Sequence, residues 1–387
     1  MVAEFVRIPL IRHDVTQRNS HEFRYLLRFT SDGSTVTIMA TAIPNTMRAV
    51  VLPEYGQNAI DAIGKLQVVE RPVPRPDRGQ VLVRIEAAPC NPSDLLLLQG
   101  KYGTLKTLPT VPGWEGAGTV VASGGGWLAN WLNGKRVACA VQGDRDGTWA
   151  QYTVANAAEC VPLKSKLTNE QAASLIINPL TAIGLLETAR KGGHRAAVHT
   201  AGASQLGRML LAISAEDHYP MIHVVRRAAQ VDLLKSKGAA HVLDSSNEDF
   251  AKQLRALCKQ LKATIAFEAV GGLMTGLVHN AMPRGSSVYV YGALSEAACG
   301  NIDPVELIFH EKTITGFFLS AWLRGRGVIG MIRLARRVQQ MVIDGRIETE
   351  IQRRLSFDDM QAGLTQYVEN MTEGKVLLLP HMRAGSS

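Results

Sequence analysis

The sequence is poor in the features that most quickly assign a chain to a class. Its five cysteines, Cys90, Cys139, Cys160, Cys258 and Cys299, are odd in number and far apart, with no Cys-x-x-Cys or Cys-x-x-His pair. They predict buried free thiols, not a disulfide framework or a zinc cage. No apolar run approaches the roughly 20 residues that span a bilayer, and the first 30 residues carry arginine and acids where a signal peptide would be apolar. Membrane insertion is therefore not expected, and the cytoplasm is the expected compartment. Internal repeats and low-complexity tracts are missing too, which excludes solenoid and disordered readings.

What is present is ordinary globular material: 387 residues, 46% hydrophobic and 20% charged, enough for two or three domains. The net charge of +8 admits nucleic acid, an acidic membrane surface, or a polyanionic small ligand such as a dinucleotide or coenzyme A. The basic residues are dispersed. Their densest group, Arg324, Arg326, Arg333, Arg336 and Arg337, follows a helical pattern and reads as a solvated face, against a nucleic-acid partner.

The texture changes along the chain. Residues 1–46 mix apolar and polar positions without a sustained period and end in Ile43-Pro44-Asn45-Thr46; they are expected to be an extension, disordered or outside the native protein. From Met47 to Pro162 short strands alternate with Gly- and Pro-rich turns, the pattern of a small irregular β-barrel. Thr168-Asn169-Glu170-Gln171 starts a helical region, with Thr181 to Arg190 helical. Strands and helices then alternate: Ala196–His199, Gln205–Ala215, Met221–Val225, Ala228–Lys237, His241–Leu243, Phe250–Leu261, Thr264–Glu268, Thr275–Ala281 and Ser287–Tyr291. This predicts an α/β fold with a doubly wound parallel sheet. A basic helix over Val328–Ile343 leads back to short strands ending at Lys375–Leu379.

The segment Ala196 to Gly207 is a short apolar strand, a turn of small residues and a helix start. Gly202 and Gly207 fall at the first and third glycines of a GxGxxG pattern, with Ser204 in the middle place. Ala203, Gln205 and Leu206 complete a turn that would bring a pyrophosphate onto a helix N-terminus. About twenty residues on, the strand Met221–Val225 ends in Arg226-Arg227, where a site for NAD would present an acid to the ribose 2′-hydroxyl. Two guanidiniums there favour a 2′-phosphate, hence NADPH. The plainer alternative is a pair of solvated arginines at a helix start.

With these residues, several stretches resemble the medium-chain dehydrogenase/reductase superfamily: Asn91-Pro92-Ser93-Asp94, Gln99-Gly100-Lys101-Tyr102, Val111 to Gly118, Gly147 to Tyr152, Asn178 to Ala182, Val270-Gly271-Gly272 and Gly316 to Ser320. The chain looks most like its zinc-independent quinone reductases and 2-enoyl thioester reductases. The resemblance implies a GroES-like catalytic domain from residues 47–170 and 319–387, and a Rossmann domain over 171–318. The zinc-dependent branch has ligands where this chain has Asn91, Trp114 and Asn178, none of which makes an ordinary N/S zinc site, so no metal is expected.

The resemblance further implies that Asn91 and Thr181 face the nicotinamide ribose or ring, with Val270, Gly271, Gly292, Ala293 and Phe318 beside it. Phe317, Phe318 and Trp322 would wall a substrate pocket, or equally belong to the core. Tyr102 matches the acid of enoyl thioester reductases and is the candidate catalytic residue, pocket lining being its other reading. The implied function is hydride transfer from NADPH to a quinone or conjugated carbonyl, with a 2-enoyl thioester reductase as the second reading and an NADPH-binding regulatory or nucleic-acid-associated protein without turnover as the third. The resemblance also implies a homodimer.

Overall fold

The computed structural model describes residues 43–383 and two earlier strands, β1 (Leu26–Phe29) and β2 (Thr35–Ile38). These two pair antiparallel, Leu26 opposite Ile38, inside a unit of their own, Met1–Pro44. Sequence texture did not announce that pairing; of the rest of the expected extension only residues 43–46 are described, Thr46 already opening the next strand.

The second unit, Asn45–Ser387, opens with the hairpin β3 (Thr46–Val51) and β4 (Gln67–Pro72), joined through α1 (Ala59–Lys65). There follow β5 (Gln80–Pro89), α2 (Pro92–Leu98), β6 (Glu115–Ser123), α3 (Trp127–Leu132), β7 (Arg136–Ala140), β8 (Tyr152–Asn156) and β9 (Cys160–Pro162). Apolar side chains on both faces make β5 a central strand, and it pairs with β6 and β8. Its register with β6 slips twice, the irregularity that curls a sheet toward a barrel. At Gly118 a side-chain carbon would lie 1.9 Å from the Arg84 carbonyl, so only glycine lets β6 cross there.

The helices α4 (Asn169–Ala173) and α5 (Ile177–Lys191) lead into the parallel sheet. Thr168 and Gln171 form the expected capping box of α4. α5 begins four residues ahead of the expected Thr181 because its first N–H groups are capped from afar: Ile176 and Ile177 donate to the Glu115 carboxylate at 3.1 and 3.0 Å. A cap supplied from some sixty residues away leaves no local signal.

The doubly wound part runs β10 (Ala196–His199), α6 (Gln205–Glu216), β11 (Met221–Val225), α7 (Ala228–Ser236), β12 (His241–Asp244), α8 (Phe250–Leu261), β13 (Ala263–Glu268), α9 (Gly272–Ala281), β14 (Ser287–Val290), α10 (Pro304–Ile308) and β15 (Thr313–Gly316). Its six parallel strands lie in the order β12-β11-β10-β13-β14-β15. The order reverses between β10 and β13, and ligands of open α/β sheets bind outside the carboxyl ends at such a point. After α11 (Leu319–Arg324) and α12 (Val328–Ile343), the chain returns through β16 (Ile351–Leu355), α13 (Met360–Glu369) and β17 (Lys375–Leu378). β17 pairs antiparallel with β5, Leu377 opposite Pro89, which brings Lys375 to the start of α2.

Candidate active site

A cleft of about 610 Å³ runs from the carboxyl ends of β10, β11, β13 and β14 to the start of α2. At its nucleotide end the glycines shape the backbone without lining the cleft. A methyl at Gly207 would come within 2.2 Å of the Gly202 carbonyl, and one on Gly202 within 2.9 Å of His223 Cβ. Ala201 takes φ of +52°, a left-handed conformation costly for alanine and held by the turn around it. Ser204 caps α6, its Oγ accepting from Gly207 N at 3.1 Å. That leaves the N–H groups of Gln205 and Leu206 at the open end of a twelve-residue helix. Ala203, Ser204, Gln205 and Leu206 all line the cleft, and this turn fits a pyrophosphate.

Arg226 and Arg227 line the same cleft just beyond β11. Both are exposed, and neither side chain has a hydrogen bond or ion pair among the described residues. Two guanidiniums without an acid partner fit an anion.

The switch point is organised by a residue that motif reading missed. Glu268, fully buried at the end of β13, accepts from Thr200 Oγ1 (3.1 Å), Val270 N (2.7 Å), Gly271 N (2.8 Å) and Thr275 Oγ1 (3.0 Å). It holds the turn after β13, where Gly271 has φ of +76°. Val270 lines the cleft, as do Gly292 and Ala293 beyond β14; Gly271 packs against the loop at Ala297 and does not. Tyr291, also lining, meets His199 Nε2 at 2.7 Å.

The other end is built on α2. Asn91 precedes it; Asp94 accepts from Asn91 N at 2.7 Å and from Trp114 N at 3.0 Å. Burial pushes the Asp94 carboxyl up to about 7, against the pull of the Asn91 N–H and the Lys375 ammonium. Trp114 lies between Tyr102, with ring centroids 4.7 Å apart, and the Lys106 ammonium, 4.6 Å from the ring. Burial lowers Lys106 to about 8. Tyr102 is half-buried, lines the cleft, and its hydroxyl has no hydrogen-bond partner among the described residues. Burial raises its pKa, so the phenol keeps its proton and remains a donor.

Thr181 and Asn178 line the cleft from α5, and Phe317 and Phe318 from the segment after β15. Trp322 does not. It packs on α5 over Gly184, where a side-chain carbon would meet its indole at 3.1 Å, under the Arg326 guanidinium at 3.9 Å.

Residues 77–165 match the family model of the alcohol dehydrogenase GroES-like domain, and residues 206–334 that of a zinc-binding dehydrogenase. The mitochondrial enoyl-[acyl-carrier-protein] reductase of Bos taurus is 31% identical over 297 residues, covering 75% of this chain and 77% of that protein. A structure from Mesorhizobium loti described as an NADPH:quinone reductase superposes with a TM-score of 0.82 at 35% identity, covering 88% of this chain and all of that one. The chain belongs to the zinc-independent branch of the medium-chain dehydrogenase/reductase superfamily. A mycobacterial relative of known structure, complexed with NADPH, matches at TM-score 0.73 and 26% identity over 86% of this chain and all of that one. As a medium-chain reductase this protein is an enzyme that uses a nicotinamide cofactor. Among the described residues no group of three or more His, Cys, Asp or Glu could hold a metal ion. No helix among them is long and apolar enough to cross a membrane.

Proposed function

We propose that this medium-chain reductase uses NADPH to reduce a quinone or a conjugated carbonyl without metal. The observation that carries the reading is one cleft lined both by two arginines beyond β11 and by a tyrosine hydroxyl, none of them with a side-chain partner among the described residues. The dinucleotide would be held by the Ser204–Leu206 helix start, by Arg226 and Arg227 at a 2′-phosphate, and by Thr181, Asn91, Val270, Gly292, Ala293 and Phe318 around the nicotinamide. When bound, the nicotinamide supplies a hydride. Tyr102 then donates its proton to the oxyanion or carbon of the reduced acceptor, and Trp114 holds the phenol ring in place. Phe317 and Phe318 keep the acceptor's side of the cleft apolar.

The similarity to the bovine enoyl thioester reductase, together with Tyr102, supports a second reading in which the acceptor is a 2-enoyl thioester. Steady-state oxidation of NADPH against a quinone panel and an enoyl-CoA panel separates the two. Binding of NADPH without oxidation on either panel would refute both and favour a regulatory protein.

Our reading places the protein in the cytoplasm, a reducing compartment, which suits the free and mostly buried thiols. It also includes a homodimer: β15 is one of the two edge strands of the parallel sheet, and Ile308 and Phe309 just before it are 66% and 65% exposed. The domain division at residues 170 and 318 belongs to this reading as well.

A further inference from the structure

Lys375 is 2% exposed, yet its ammonium sits at the floor of the cleft. It donates to Asn91 Oδ1 and, at 3.3 Å, to the Cys90 carbonyl, which also accepts from the Tyr367 hydroxyl at 3.2 Å. On the other side of the same carboxamide, Asn91 Nδ2 donates to Glu115 Oε1 at 3.1 Å. Resting on the reductase reading above, we propose that Lys375 is a positioning residue: it fixes which way the Asn91 carboxamide points, so that the Asn91 end of the cleft offers a hydrogen-bond donor.

An amide side chain is nearly symmetric in shape and is oriented only by what its neighbours can give and take. An ammonium can only donate, so the Asn91 oxygen must face Lys375. An ionised carboxylate can only accept, so the Asn91 nitrogen must face Glu115. Every group bonded to the Glu115 oxygens, Asn91 Nδ2, Ile176 N and Ile177 N, is a donor, an arrangement that only the ionised form satisfies. Burial pushes the Glu115 carboxyl up, opposed by the Ile177 N–H and by Lys375. The other ionisable groups beside it are Asp94 and Cys139. Lys375 thus acts twice, receiving the amide oxygen and helping Glu115 stay charged.

Two polar hydrogens in this chain of bonds have no acceptor among the described residues, the third N–H of the Lys375 ammonium and the second N–H on Asn91 Nδ2; the one on Asn91, which lines the cleft, is the donor that the amide's orientation controls. The group it would take is an oxygen acceptor on the nicotinamide half of the cofactor. A flipped amide would offer that oxygen another oxygen.

The test is Lys375→Met, a chain of similar length without charge. Without the ammonium, Glu115 takes up a proton more readily, and a protonated Glu115 is satisfied by a turned Asn91. NADPH affinity should therefore fall about 10- to 100-fold relative to wild type at low pH. The ratio should return toward one as pH rises and Glu115 ionises again. A ratio of variant to wild type near one, or a loss that does not change with pH, would overturn the proposal, since mere packing damage is indifferent to protons.

Should Lys375→Met fail to fold, Lys375→Gln carries the test. Its neutral amide can give as well as take and no longer dictates which way Asn91 points, so the same loss at low pH is expected, and wild-type affinity in that variant overturns the proposal. Because the readout is binding, wild-type protein that binds NADPH yet reduces no acceptor would refute the reductase reading while leaving this one standing.

Discussion

Replacing both Arg226 and Arg227 by alanine asks whether the end of β11 reads a 2′-phosphate. Arg226 is the first residue past the strand and Arg227 the N-cap position of α7; both are exposed and without side-chain partners among the described residues. Truncation therefore orphans no buried group, and stability should move by less than about 0.5 kcal/mol. Each charge-assisted hydrogen bond to phosphate is worth about 1.5–3 kcal/mol. In an open part of the cleft, solvent holds the pair to about 2–3 kcal/mol together, or roughly 30- to 150-fold in NADPH affinity. NADH, which lacks the phosphate, should bind the variant within about threefold of wild type. Fluorescence titration of both cofactors at two salt concentrations is the assay, and the salt dependence of NADPH binding should shrink with the arginines. Equal weakening of NADPH and NADH, or weakening of neither, would refute the assignment.

Tyr102→Phe retains the ring packed against Trp114 and removes a hydroxyl without a partner among the described residues; kcat on an enone should fall on the order of 100-fold with a smaller change in KM, and near-wild-type turnover would leave proton transfer to water. Chelators should leave activity and Tm unchanged, and stoichiometric zinc in active protein by elemental analysis would contradict this. Gly207→Ala should abolish NADPH binding, because its methyl meets the Gly202 carbonyl at 2.2 Å, and a normal titration would show that the turn can shift. Acid should destabilise the fold through His223, which burial lowers to about 4 while its ring nitrogens find no partner. The unfolded chain then binds more protons below its own pKa near 6.5, so stability is lost as pH falls from about 6.5 to about 4. Between pH 7 and 5 the share of the loss due to His223 is about 2 kcal/mol in urea melts, and His223→Phe should remove that share while buried His199 keeps its own.

The fold was legible wherever the signal was periodic. The strands at Ala196 and Met221, and the helices at Phe250 and Val328, begin and end at the expected residues because each is an apolar run or an amphipathic stripe bounded by local punctuation. The early hairpin at Leu26 and Thr35 was not, since its strands are only four residues each, too short for a period to register. The start of α5 was displaced because its cap is the Glu115 side chain. The same division governs the site. Turn residues and the arginine pair lie at fixed distances along a strand-turn-helix unit, so one sequence can point to them.

The residues that hold the site together are different in kind. Glu268 acts within a few positions of itself as well as across the sheet to Thr200, and a lone acid after an apolar strand is a signal that could have been read. Lys375 gives a fainter sign, a single charge opening the apolar strand Lys375–Leu378. Its meaning comes only from contact with Asn91, 284 positions earlier, which requires β17 to pair with β5. Two buried carboxyl groups, Asp94 and Glu115, stand beside the cleft and call for a positive charge to balance them. A buried ammonium delivered by the final strand supplies that balance. Its position ties the orientation of a cleft residue to the closure of the whole sheet, so a C-terminal truncation that removes β17 should abolish cofactor binding even with the nucleotide turn intact.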